Sequence, residues 1–439
     1  MTLNIIFAYG ILFAHMALTD EKPTILLSDI LRRRRPLAFN VMVKPIGSAC
    51  NLNCSYCYYL EKKKLFPGKD DFRMSIELLE NFTKQYIEAN EVPVVTFVWQ
   101  GGEPTLLGLD FFKKAIEFQR KYAGGKRIEN AFQTNGTRLN DDWCKFFKDN
   151  NILVGISIDG AEHVHNHYRK MVSGGLTFKF VMKGIELLQK HRVEFNTLSV
   201  VNDYSVHFAS ETYRFLKSIG SVFMQFLPVV ERIASDVPED MLKLVSNEYK
   251  GTAPVAKWSV NGKDYGKFLI TIFDKWVRQD VGIYFVQIFD ATLANWVREM
   301  PGVCVFDETC GENLVIEHNG DVYSCDHYVY PENYLGNILE KPLIEMVRSK
   351  VQFDFGLKKR NSLPRQCMRC DVLFACHGEC PKHRIAISED GEPGLNYLCE
   401  GYKMFFRHVA PYMDFMANEL KNKRAPANVM QWIRNKEHR

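Results

Sequence analysis

The sequence predicts an α/β protein in which a partial, TIM-like (β/α)6 barrel is followed by a cysteine-rich C-terminal domain. Between residues 40 and 232, β-rich apolar runs alternate with amphipathic stretches, which is typical of a parallel sheet or barrel. Three cysteines lie within residues 50–57, eight lie within residues 304–399, and Cys144 stands alone. The alternation predicts the barrel, and the second group of cysteines predicts the additional domain.

The composition is that of an ordinary globular protein. Apolar residues make up 46% and charged residues 25% of the 439 positions, so the chain can bury a large core without disulfides. The net charge of +4 is too small to indicate a nucleic-acid partner. Clustered cysteines in a chain of this size indicate metal sites in a reducing compartment, which predicts a cytoplasmic protein that binds no membrane.

The first 39 residues are predicted to be an N-terminal extension. Residues 1–16 contain an apolar run that is too short to span a bilayer, and the run lacks the basic region and cleavage site of a signal peptide. We therefore interpret the assigned translation start as too early and expect Met16 to be the true start. The basic run Arg32–Arg35 is predicted to be solvated.

Six strand–helix units account for residues 40–232. The predicted strands are Val41–Pro45, Val92–Trp99, Ile128–Thr134, Leu153–Asp159, Glu194–Val201 and Val222–Pro228. The predicted helices are Ser75–Asn90, Phe111–Tyr122, Asp141–Asn150, Phe178–His191 and His207–Ser218. Ser75 has the side chain and the position of an N-cap.

The rest of the chain is predicted to form a helical connector (233–300), a cysteine-rich domain (301–400) and a C-terminal helix with a polar tail (401–439). The elements predicted here are helices at Lys267–Arg278, Ala291–Met300 and about Glu400–Lys421, and a strand at Ile283–Phe289. No element is predicted after Ala425.

Functional residues of α/β barrels gather at the C-terminal ends of the strands. Several predicted strands end in residues suited to binding, which are the cysteine loop, Gly101-Gly102, Asn135, Ser157 and Val230. Because the strands are parallel, these ends lie on one face of the barrel. The sequence therefore predicts a single shared site.

The cysteine loop has the spacing C-x3-C-x2-C, formed by Cys50, Cys54 and Cys57, with Tyr56 just before the last cysteine. A fully ligated [4Fe–4S] cluster takes four cysteines, so three cysteines leave one iron open to another ligand. The alternative is a zinc site, which usually has a second cysteine pair or histidines close behind, and none follows before Cys144. The loop resembles that of the radical SAM enzymes, in which S-adenosylmethionine (SAM) binds the open iron.

This resemblance implies a radical SAM barrel in which SAM is contacted by Tyr56, Gly102, Ser157, Arg169 and Val230. The glycine belongs to the sequence Gly101–Pro104, which matches the family's GGEP motif, whose backbone holds the methionine amino group. The arginine is implied to pair with the SAM carboxylate, and Tyr56 and Val230 are implied to lie against the adenine. The alternatives are a strand-end hydroxyl for Ser157 and a surface arginine for Arg169.

The second group of cysteines contains the patterns G-x4-C, ending at Cys325, and C-x2-C-x5-C-x3-C, from Cys367 to Cys380. It is similar to the SPASM domain, which implies two further [4Fe–4S] clusters and three in the whole chain. By this resemblance one cluster is held by Cys304, Cys310, Cys325 and Cys380. The other is held by Cys367, Cys370, Cys376 and Cys399. The alternative is a pair of structural zinc sites.

Asp326 directly follows a predicted cluster ligand. A carboxylate beside a cluster can accept a proton while a substrate radical is oxidised, and the alternative is an exposed loop acid. From about residue 40 to residue 415 the chain resembles the anaerobic sulfatase-maturating enzymes. In that family the aspartate is the proposed base, and the positions of Tyr59 and Gln100 face the substrate.

The resemblance implies an oxidoreductase that converts a cysteine or serine of a sulfatase to formylglycine (3-oxoalanine). A 5′-deoxyadenosyl radical would take a Cβ hydrogen, Asp326 would take a proton, and the additional clusters would accept an electron. The implied partners are a sulfatase polypeptide with a Cys/Ser-x-Pro-x-Arg motif and a small electron donor such as flavodoxin or ferredoxin. Two alternatives stay open, namely another peptide modification such as a thioether or carbon–carbon crosslink, and a zinc-stabilised binding module.

Two further features are predicted to have no role in catalysis. His163, His165 and His167 alternate after the fourth strand, and nothing in their spacing fixes a further metal ligand, so they are predicted to be surface histidines. Cys144 lies in an amphipathic helix and is predicted to be a core residue.

Overall fold

A computed structural model describes residues 37–66, 72–238 and 240–437. Several predictions for the N-terminus lie outside the described residues, namely most of the N-terminal extension, the apolar run, the Met16 start and the solvated Arg32–Arg35 run. No helix in the described part of the chain is long and apolar enough to cross a membrane.

A ten-stranded sheet is the centre of the molecule, and its first seven strands lie side by side in chain order. The first seven strands are β1 (Asn40–Lys44), β2 (Val94–Trp99), β3 (Arg127–Thr134), β4 (Leu153–Ser157), β5 (Phe195–Val201), β6 (Phe223–Pro228) and β7 (Phe285–Val286). All are parallel to their neighbours. The predicted series of six parallel strands is thus confirmed, with a short seventh strand at its end.

Helices connect and cover these strands. Those of the first half are α1 (Ile76–Ala89), α2 (Leu109–Tyr122), α3 (Asp141–Asp149), α4 (Glu162–Tyr168), α5 (Phe178–Lys190) and α6 (Ala209–Ser218). The Ser75 hydroxyl accepts a hydrogen bond from the backbone N–H of Leu78 at 3.1 Å, so the predicted N-cap of α1 is confirmed. Such a cap contributes about 1 kcal/mol to helix stability.

Most helices of the second half are short. The two long ones, Gly262–Gln279 and Cys399–Lys421, contact each other. The helices of this half are α7 (Gly262–Gln279), α8 (Gln287–Trp296), α9 (Leu343–Val347), α10 (Lys350–Asn361), α11 (Arg365–Met368), α12 (Leu373–Cys376), α13 (Cys399–Lys421) and α14 (Val429–Glu437). A small two-stranded sheet, β11 (Ala386–Ile387) and β12 (Pro393–Leu395), is separate from the main sheet.

The cysteine-rich segment extends the barrel's own sheet. Its strands β8 (Asn313–Glu317), β9 (Asp321–Tyr323) and β10 (Tyr334–Asn337) continue the sheet in the order β10-β9-β8-β1. β8 runs parallel to β1, and this register places Glu317 beside Lys44. Because β1 ends at the cysteine loop, the second cysteine group is brought next to the first.

Aromatic side chains fill the space between the sheet and its helices. Phe97 and Trp99 of β2 stack with centroids 5.8 Å apart, and Phe132 of β3 packs against Trp143 of α3 at 5.6 Å. Cys144 is fully buried in this layer, which confirms its prediction as a core residue. Burial of this much aromatic surface is the main stabilising contribution to this half of the fold.

Three local predictions after residue 280 are wrong. The predicted strand Ile283–Phe289 is limited to Phe285–Val286, and the helix predicted at Ala291–Met300 starts and ends earlier, as α8. Ile288, Phe289 and Thr292 are buried at helical spacing, so burial of one helix face decides the conformation. The tail after Ala425 is not featureless, since it forms α14 and buries Val429 and Ile433.

Glycines permit the close crossing of α7 and α13. A Cβ added at Gly401 would lie 1.9 Å from the carbonyl oxygen of Gly262, and one added at Gly266 would lie 2.7 Å from the Cα of Gly401. Backbone atoms cannot move aside as a flexible side chain can, so only glycine fits these positions.

We expect the substitution Gly401→Ala to destabilise the protein by about 1–3 kcal/mol, because the two helices must move apart to accommodate the methyl group. Thermal unfolding followed by circular dichroism should show a lower Tm. Gly175→Ala is the control, since its added Cβ would meet a single side-chain oxygen at 3.8 Å. An unchanged Tm for Gly401→Ala would contradict the crossing described above.

Candidate active site

The cysteine loop leaves the C-terminal end of β1 and is held by the segment that follows α4. The backbone N–H of Asn53 donates to the carbonyl of Lys170 at 2.8 Å, and that of Val172 donates to the carbonyl of Asn51 at 3.2 Å. These bonds fix the backbone between the first and the middle cysteine. The loop therefore has a defined shape without any disulfide.

The three thiols of this loop, Cys50, Cys54 and Cys57, are free and partly exposed as residues. Burial of the sulfur atoms raises the pKa of Cys50 and of Cys54 to about 12, and it also raises the pKa of Cys57. Only thiolates bind metal, so iron binding here must displace protons. Without a metal the burial of these sulfur atoms disfavours thiolates, whereas a bound iron–sulfur cluster would stabilise them.

The turn after β2 makes backbone contact with the cysteine loop. Gly102 N–H donates to the carbonyl of Gly47 at 2.8 Å, and Glu103 N–H donates to the carbonyl of Ala49 at 2.8 Å. A Cβ added at Gly102 would lie 1.9 Å from the carbonyl oxygen of Ala49. Gly102 therefore lies immediately beside the predicted cluster, where the resemblance expects a SAM contact.

Glu103 connects this turn to the end of β3. The carboxylate is fully buried, and it accepts hydrogen bonds from the Thr134 hydroxyl at 2.7 Å and the Asn135 N–H at 2.8 Å. The Asn135 amide donates to the side chain of Asn51 at 2.9 Å and lies 3.8 Å from Cys50 Sγ. No role was predicted for Glu103 from the sequence, although a charged residue directly after two glycines at a strand end indicates a structural or functional role.

Arg169 and Tyr56 share one buried carboxylate. Arg169 Nε lies 3.0 Å from Asp159 Oδ2, and the Tyr56 hydroxyl donates to the same oxygen at 2.6 Å. The guanidinium lies 5.6 Å from the centroid of the Tyr56 ring. The alternative of a surface arginine is wrong, because Arg169 is buried by this ion pair. Sequence analysis missed Asp159, which ends the predicted fourth strand.

The other two predicted SAM contacts lie at strand ends. Ser157 ends β4, and its hydroxyl accepts a hydrogen bond from Gln133 Nε2 at 3.0 Å. Val230 is buried two residues beyond the end of β6. Both positions are on the face predicted from the strand pattern, and their contacts with SAM stay predictions.

Asp326 is held between two side chains that the barrel provides. Lys44 Nζ lies 2.7 Å from Asp326 Oδ1, and the Tyr58 hydroxyl donates to Oδ2. Burial acts to raise the pKa of Asp326, but Lys44, His327 and the hydrogen bond from Tyr58 together outweigh it, so the pKa lies below its usual range. The side chain is only 13% exposed, so the alternative of an exposed loop acid is wrong. The group is a buried, ionised carboxylate.

Tyr59 and Glu317 form a second buried pair beside this one. The Tyr59 hydroxyl donates to Glu317 Oε1 at 2.5 Å, and Lys44 Nζ lies 4.3 Å from the centroid of the Tyr59 ring. Gln100 directly follows β2, and its N–H donates to the carbonyl of Val43, the neighbour of Lys44. Of the two predicted substrate-facing residues, Tyr59 is buried against Lys44, which pairs with Asp326, and Gln100 is joined by its backbone to the neighbour of Lys44.

The eight cysteines of the second group interact in two sets. Burial raises the pKa of Cys325, and the thiols of Cys380 and Cys304 raise it further. Burial also raises the pKa of Cys310 to about 11, and the thiol of Cys304 adds to this shift. The four thiols of this set are therefore neighbours that hold negative charge unfavourably unless a cation is present.

The second set behaves in the same way. Burial raises the pKa of Cys367 to about 11, and the thiols of Cys399 and Cys370 raise it further. Burial and the thiol of Cys399 also raise the pKa of Cys376. These interactions group the thiols as the sequence pattern does, and the assignment of one cluster to each set stays a prediction.

The donor chemistry of all three cysteine groups fits iron–sulfur clusters. All eleven cysteines are free, and thiolates are the ligands that [4Fe–4S] clusters use. In the part of the chain that the structure describes, no group of three or more metal-binding side chains is arranged for a single metal ion. Each thiolate of a four-iron cluster binds a different iron, so cluster ligands need not converge on one point.

Two curated relatives match this chain over nearly its whole length. One is the serine-type anaerobic sulfatase-maturating enzyme of Bacteroides thetaiotaomicron, which is 53% identical over 90% of this chain and 95% of the relative. Another is the cysteine-type enzyme of Clostridium novyi, which is 34% identical over 87% of this chain and 98% of the relative. The chain belongs to the anaerobic sulfatase-maturating enzymes. The predicted family is thus confirmed.

Family models and a solved structure agree with this membership. The model of the radical SAM superfamily matches residues 45–216, and that of an iron–sulfur cluster-binding domain, SPASM, matches residues 304–371. A solved structure of native anSMEcpe with bound AdoMet and Cp18Cys peptide is 32% identical, with a TM-score of 0.75, over 87% of this chain and 99% of that one. This anaerobic sulfatase-maturating enzyme is therefore a radical SAM oxidoreductase that uses SAM and three [4Fe–4S] clusters.

The three histidines after β4 do not all lie at the surface of the anaerobic sulfatase-maturating enzyme. His163 and His167 are exposed, as predicted, but His165 is fully buried in α4. Its Nδ1 accepts from the backbone N–H of Asp159 at 3.4 Å, and its Nε2 lies 3.0 Å from the Thr177 hydroxyl. Burial lowers the pKa of His165 to about 3, so it is a neutral support for the Asp159 turn.

Proposed function

We propose that this enzyme oxidises the side chain of a serine or cysteine in a sulfatase polypeptide to formylglycine. The observation that carries the proposal is the position of Asp326, which is buried, ionised and held by Lys44 and Tyr58 beside the predicted cluster ligand Cys325. Asp326 follows the predicted cluster ligand Cys325 and contacts Tyr58, which follows Cys57 of the cysteine loop. The reaction needs a radical, a base and an electron acceptor, because it removes a hydrogen atom, a proton and an electron.

The residues around the cysteine loop suit SAM binding. The backbone of Gly102 is proposed to hold the methionine part, since this glycine packs directly against the cysteine loop. Arg169 provides a guanidinium for the carboxylate while Asp159 keeps it oriented, and Tyr56 presents a buried ring for the adenine. When bound, SAM and its cluster supply a 5′-deoxyadenosyl radical, which takes a hydrogen atom from the substrate Cβ. Ser157 and Val230 complete the proposed binding site.

Asp326 takes the proton that the substrate loses next. After loss of a Cβ hydrogen atom, a serine radical must release its hydroxyl proton and one electron to become an aldehyde. The pKa of Asp326 lies below the usual range, so its carboxylate is unprotonated at neutral pH and available to accept this proton. The cysteines of the SPASM segment would hold the clusters, which would accept the electron. A cysteine forms a thioaldehyde in the same way, and water then replaces the sulfur as sulfide.

Tyr59 and Gln100 are proposed to contact the substrate peptide. Tyr59 lies against Lys44, the partner of Asp326, and the backbone of Gln100 is bonded to Val43 next to Lys44. The peptide is expected to contain the Cys/Ser-x-Pro-x-Arg motif of sulfatases. Serine is the favoured target, because the 53% identical relative is named a serine-type enzyme whereas the cysteine-type relative is 34% identical.

A separate protein is proposed to supply the first electron. Cleavage of SAM consumes one electron, and none of the residues described above provides it. The donor is a small one-electron carrier such as flavodoxin or ferredoxin. Because reduced clusters and thiolates survive in a reducing compartment, the enzyme is proposed to act in the cytoplasm.

A peptide assay tests the product directly. The reduced enzyme is incubated with SAM and a short peptide that contains Ser-x-Pro-x-Arg. From the stoichiometry of the oxidation, we expect the mass of this peptide to fall by about 2 Da and that of the matching cysteine peptide to fall by about 18 Da. Mass spectrometry after treatment with a hydrazine reagent should then show a hydrazone, which only an aldehyde forms. The peptide with alanine at the target position is the control.

Two other outcomes would contradict the proposal. A mass loss without hydrazone formation would indicate a thioether or carbon–carbon crosslink. A colourless protein that contains zinc and no iron would indicate a binding module stabilised by structural zinc sites.

A further inference from the structure

Two buried cations lie among the thiols of the second cysteine group. Lys359 on α10 is 0% exposed, and Arg384 is 7% exposed. Both donate to backbone carbonyls, and in the described part of the chain neither forms an ion pair with Asp or Glu. Buried cations are normally paired with an opposite charge. The negative charge that balances these two must therefore come from another group.

Lys359 holds the turn that carries the first cysteine of the group. Its Nζ donates to the carbonyls of Cys304, Val305 and Asp307, all within 3.0 Å. An ammonium has three N–H donors, whereas a neutral amine has two. Three carbonyl acceptors around one nitrogen therefore match the charged form, and they fix the backbone from Cys304 to Asp307.

Arg384 holds the stretch between the two sets of thiols. Its Nε and Nη2 donate to the carbonyls of residues 377–379 at 3.0–3.3 Å. This stretch follows Cys376, which belongs to one predicted set, and precedes Cys380, which belongs to the other. One guanidinium thus fixes the distance between ligands of two different clusters.

The two cations are joined through the backbone. Arg384 Nη1 donates to the carbonyl of Lys359. A buried carboxylate, Glu379, lies in the same region, but it is bonded to His383 Nδ1 at 2.9 Å and Asn396 Nδ2 at 2.6 Å. Neither cation is ion-paired with this carboxylate, so both can interact with negatively charged groups nearby.

We infer that Lys359 and Arg384 are positioning residues that hold the two cluster-binding loops and make the clusters of the SPASM segment easier to reduce. The inference rests on the proposed function, because it concerns the electron that leaves the substrate radical. That radical is oxidised by one electron, the clusters are reduced by one, and the proton goes to Asp326. A four-iron cluster with four thiolates becomes more negative on reduction, so a fixed cation nearby favours the reduced form.

The test is a reduction-potential measurement on the full chain. Replacing Cys50, Cys54 and Cys57 by alanine removes the ligands of the SAM cluster and leaves the other two clusters, with about eight irons per chain. In this background Lys359→Gln is expected to make reduction of these clusters at least about tenfold less favourable, a shift of about 59 mV to more negative potential for a one-electron couple. Redox titration followed by electron paramagnetic resonance measures it.

A neighbouring lysine provides the matched control. Lys358 is 62% exposed and pairs with Glu248 at 2.6 Å, so Lys358→Gln is expected to leave the potential unchanged. Arg384→Lys keeps the charge and is expected to keep the potential, whereas Arg384→Gln is expected to lower it. A merely structural role would make both Arg384 variants behave alike.

Each outcome decides the inference. Full iron content with an unchanged potential in Lys359→Gln would overturn it. If Lys359→Gln fails to bind iron, Lys359→Arg is the deciding variant: restored iron supports a role for the charge, and equal loss overturns it. No peptide is present in the titration, so a shift in potential stands even if the peptide assay yields a crosslink, whereas aldehyde formation without any shift overturns this inference alone.

Discussion

Replacing Asp326 by asparagine is expected to separate SAM cleavage from aldehyde formation. Asparagine has the same shape but cannot accept the substrate's proton, and loss of a positioned base typically lowers a rate by about 100-fold or more. The contacts around Gly102 and Arg169 do not involve Asp326. We therefore expect 5′-deoxyadenosine at close to the normal rate and formylglycine at about 1% of it or less.

Chromatography of 5′-deoxyadenosine and mass spectrometry of the peptide measure the two rates in one reaction. Asp326→Asn also leaves the buried Lys44 without its carboxylate, so iron content and Tm must be recorded for each variant. Asp354→Asn is the control, because this exposed aspartate pairs with Lys350 on the surface. Full aldehyde yield from a folded, iron-loaded Asp326→Asn variant would remove the role proposed for Asp326.

Replacing Gly102 by alanine is expected to abolish SAM cleavage. The added methyl group would lie 1.9 Å from the carbonyl oxygen of Ala49, and because both partners are backbone, the turn and the cysteine loop must separate. Two hydrogen bonds, from Gly102 to Gly47 and from Glu103 to Ala49, would be lost or stretched. A displacement of about 1 Å at a reacting centre can cost about 100-fold in rate.

The measurement is 5′-deoxyadenosine formation in the absence of peptide, together with SAM affinity. Gly175→Ala is the control, since Gly175 lies in the segment beside the cysteine loop but its Cβ meets nothing closer than 3.8 Å. Iron bound by the cysteines after residue 300 should be retained. Normal SAM cleavage by Gly102→Ala would show that the turn and the loop need not be in contact.

Local patterns were sufficient to predict the parallel strands. Val94–Trp99 combines β-branched and aromatic residues, Phe223–Pro228 is a mainly apolar run that ends at a proline, and the Ser75 cap is visible from its side chain alone. The cysteine spacings predicted iron–sulfur chemistry for the same reason, because each ligand set depends on short loops. The predicted division of the chain into five segments stays a prediction.

Long-range contacts could not be predicted in this way. Lys44 has no visible role in the sequence, because its partners Asp326 and Glu317 are brought to it by the pairing of β1 with a strand more than 260 residues away. His165 was misjudged since its burial depends on Thr177 and on the turn at Asp159. A charged side chain is assigned to the surface by default, and this default fails where a site is assembled from distant segments.

The pairing of β1 with β8 also determines when the enzyme can be completed. Asn40 pairs with Asn313, so a ribosome must synthesise most of the chain before the central strand has both of its neighbours. Contacts with such a large sequence separation form late in folding. Until then the cysteine loop is attached to a strand with one open edge. The loop of Cys50, Cys54 and Cys57 therefore follows a strand that gains its second neighbour only after most of the chain has been synthesised.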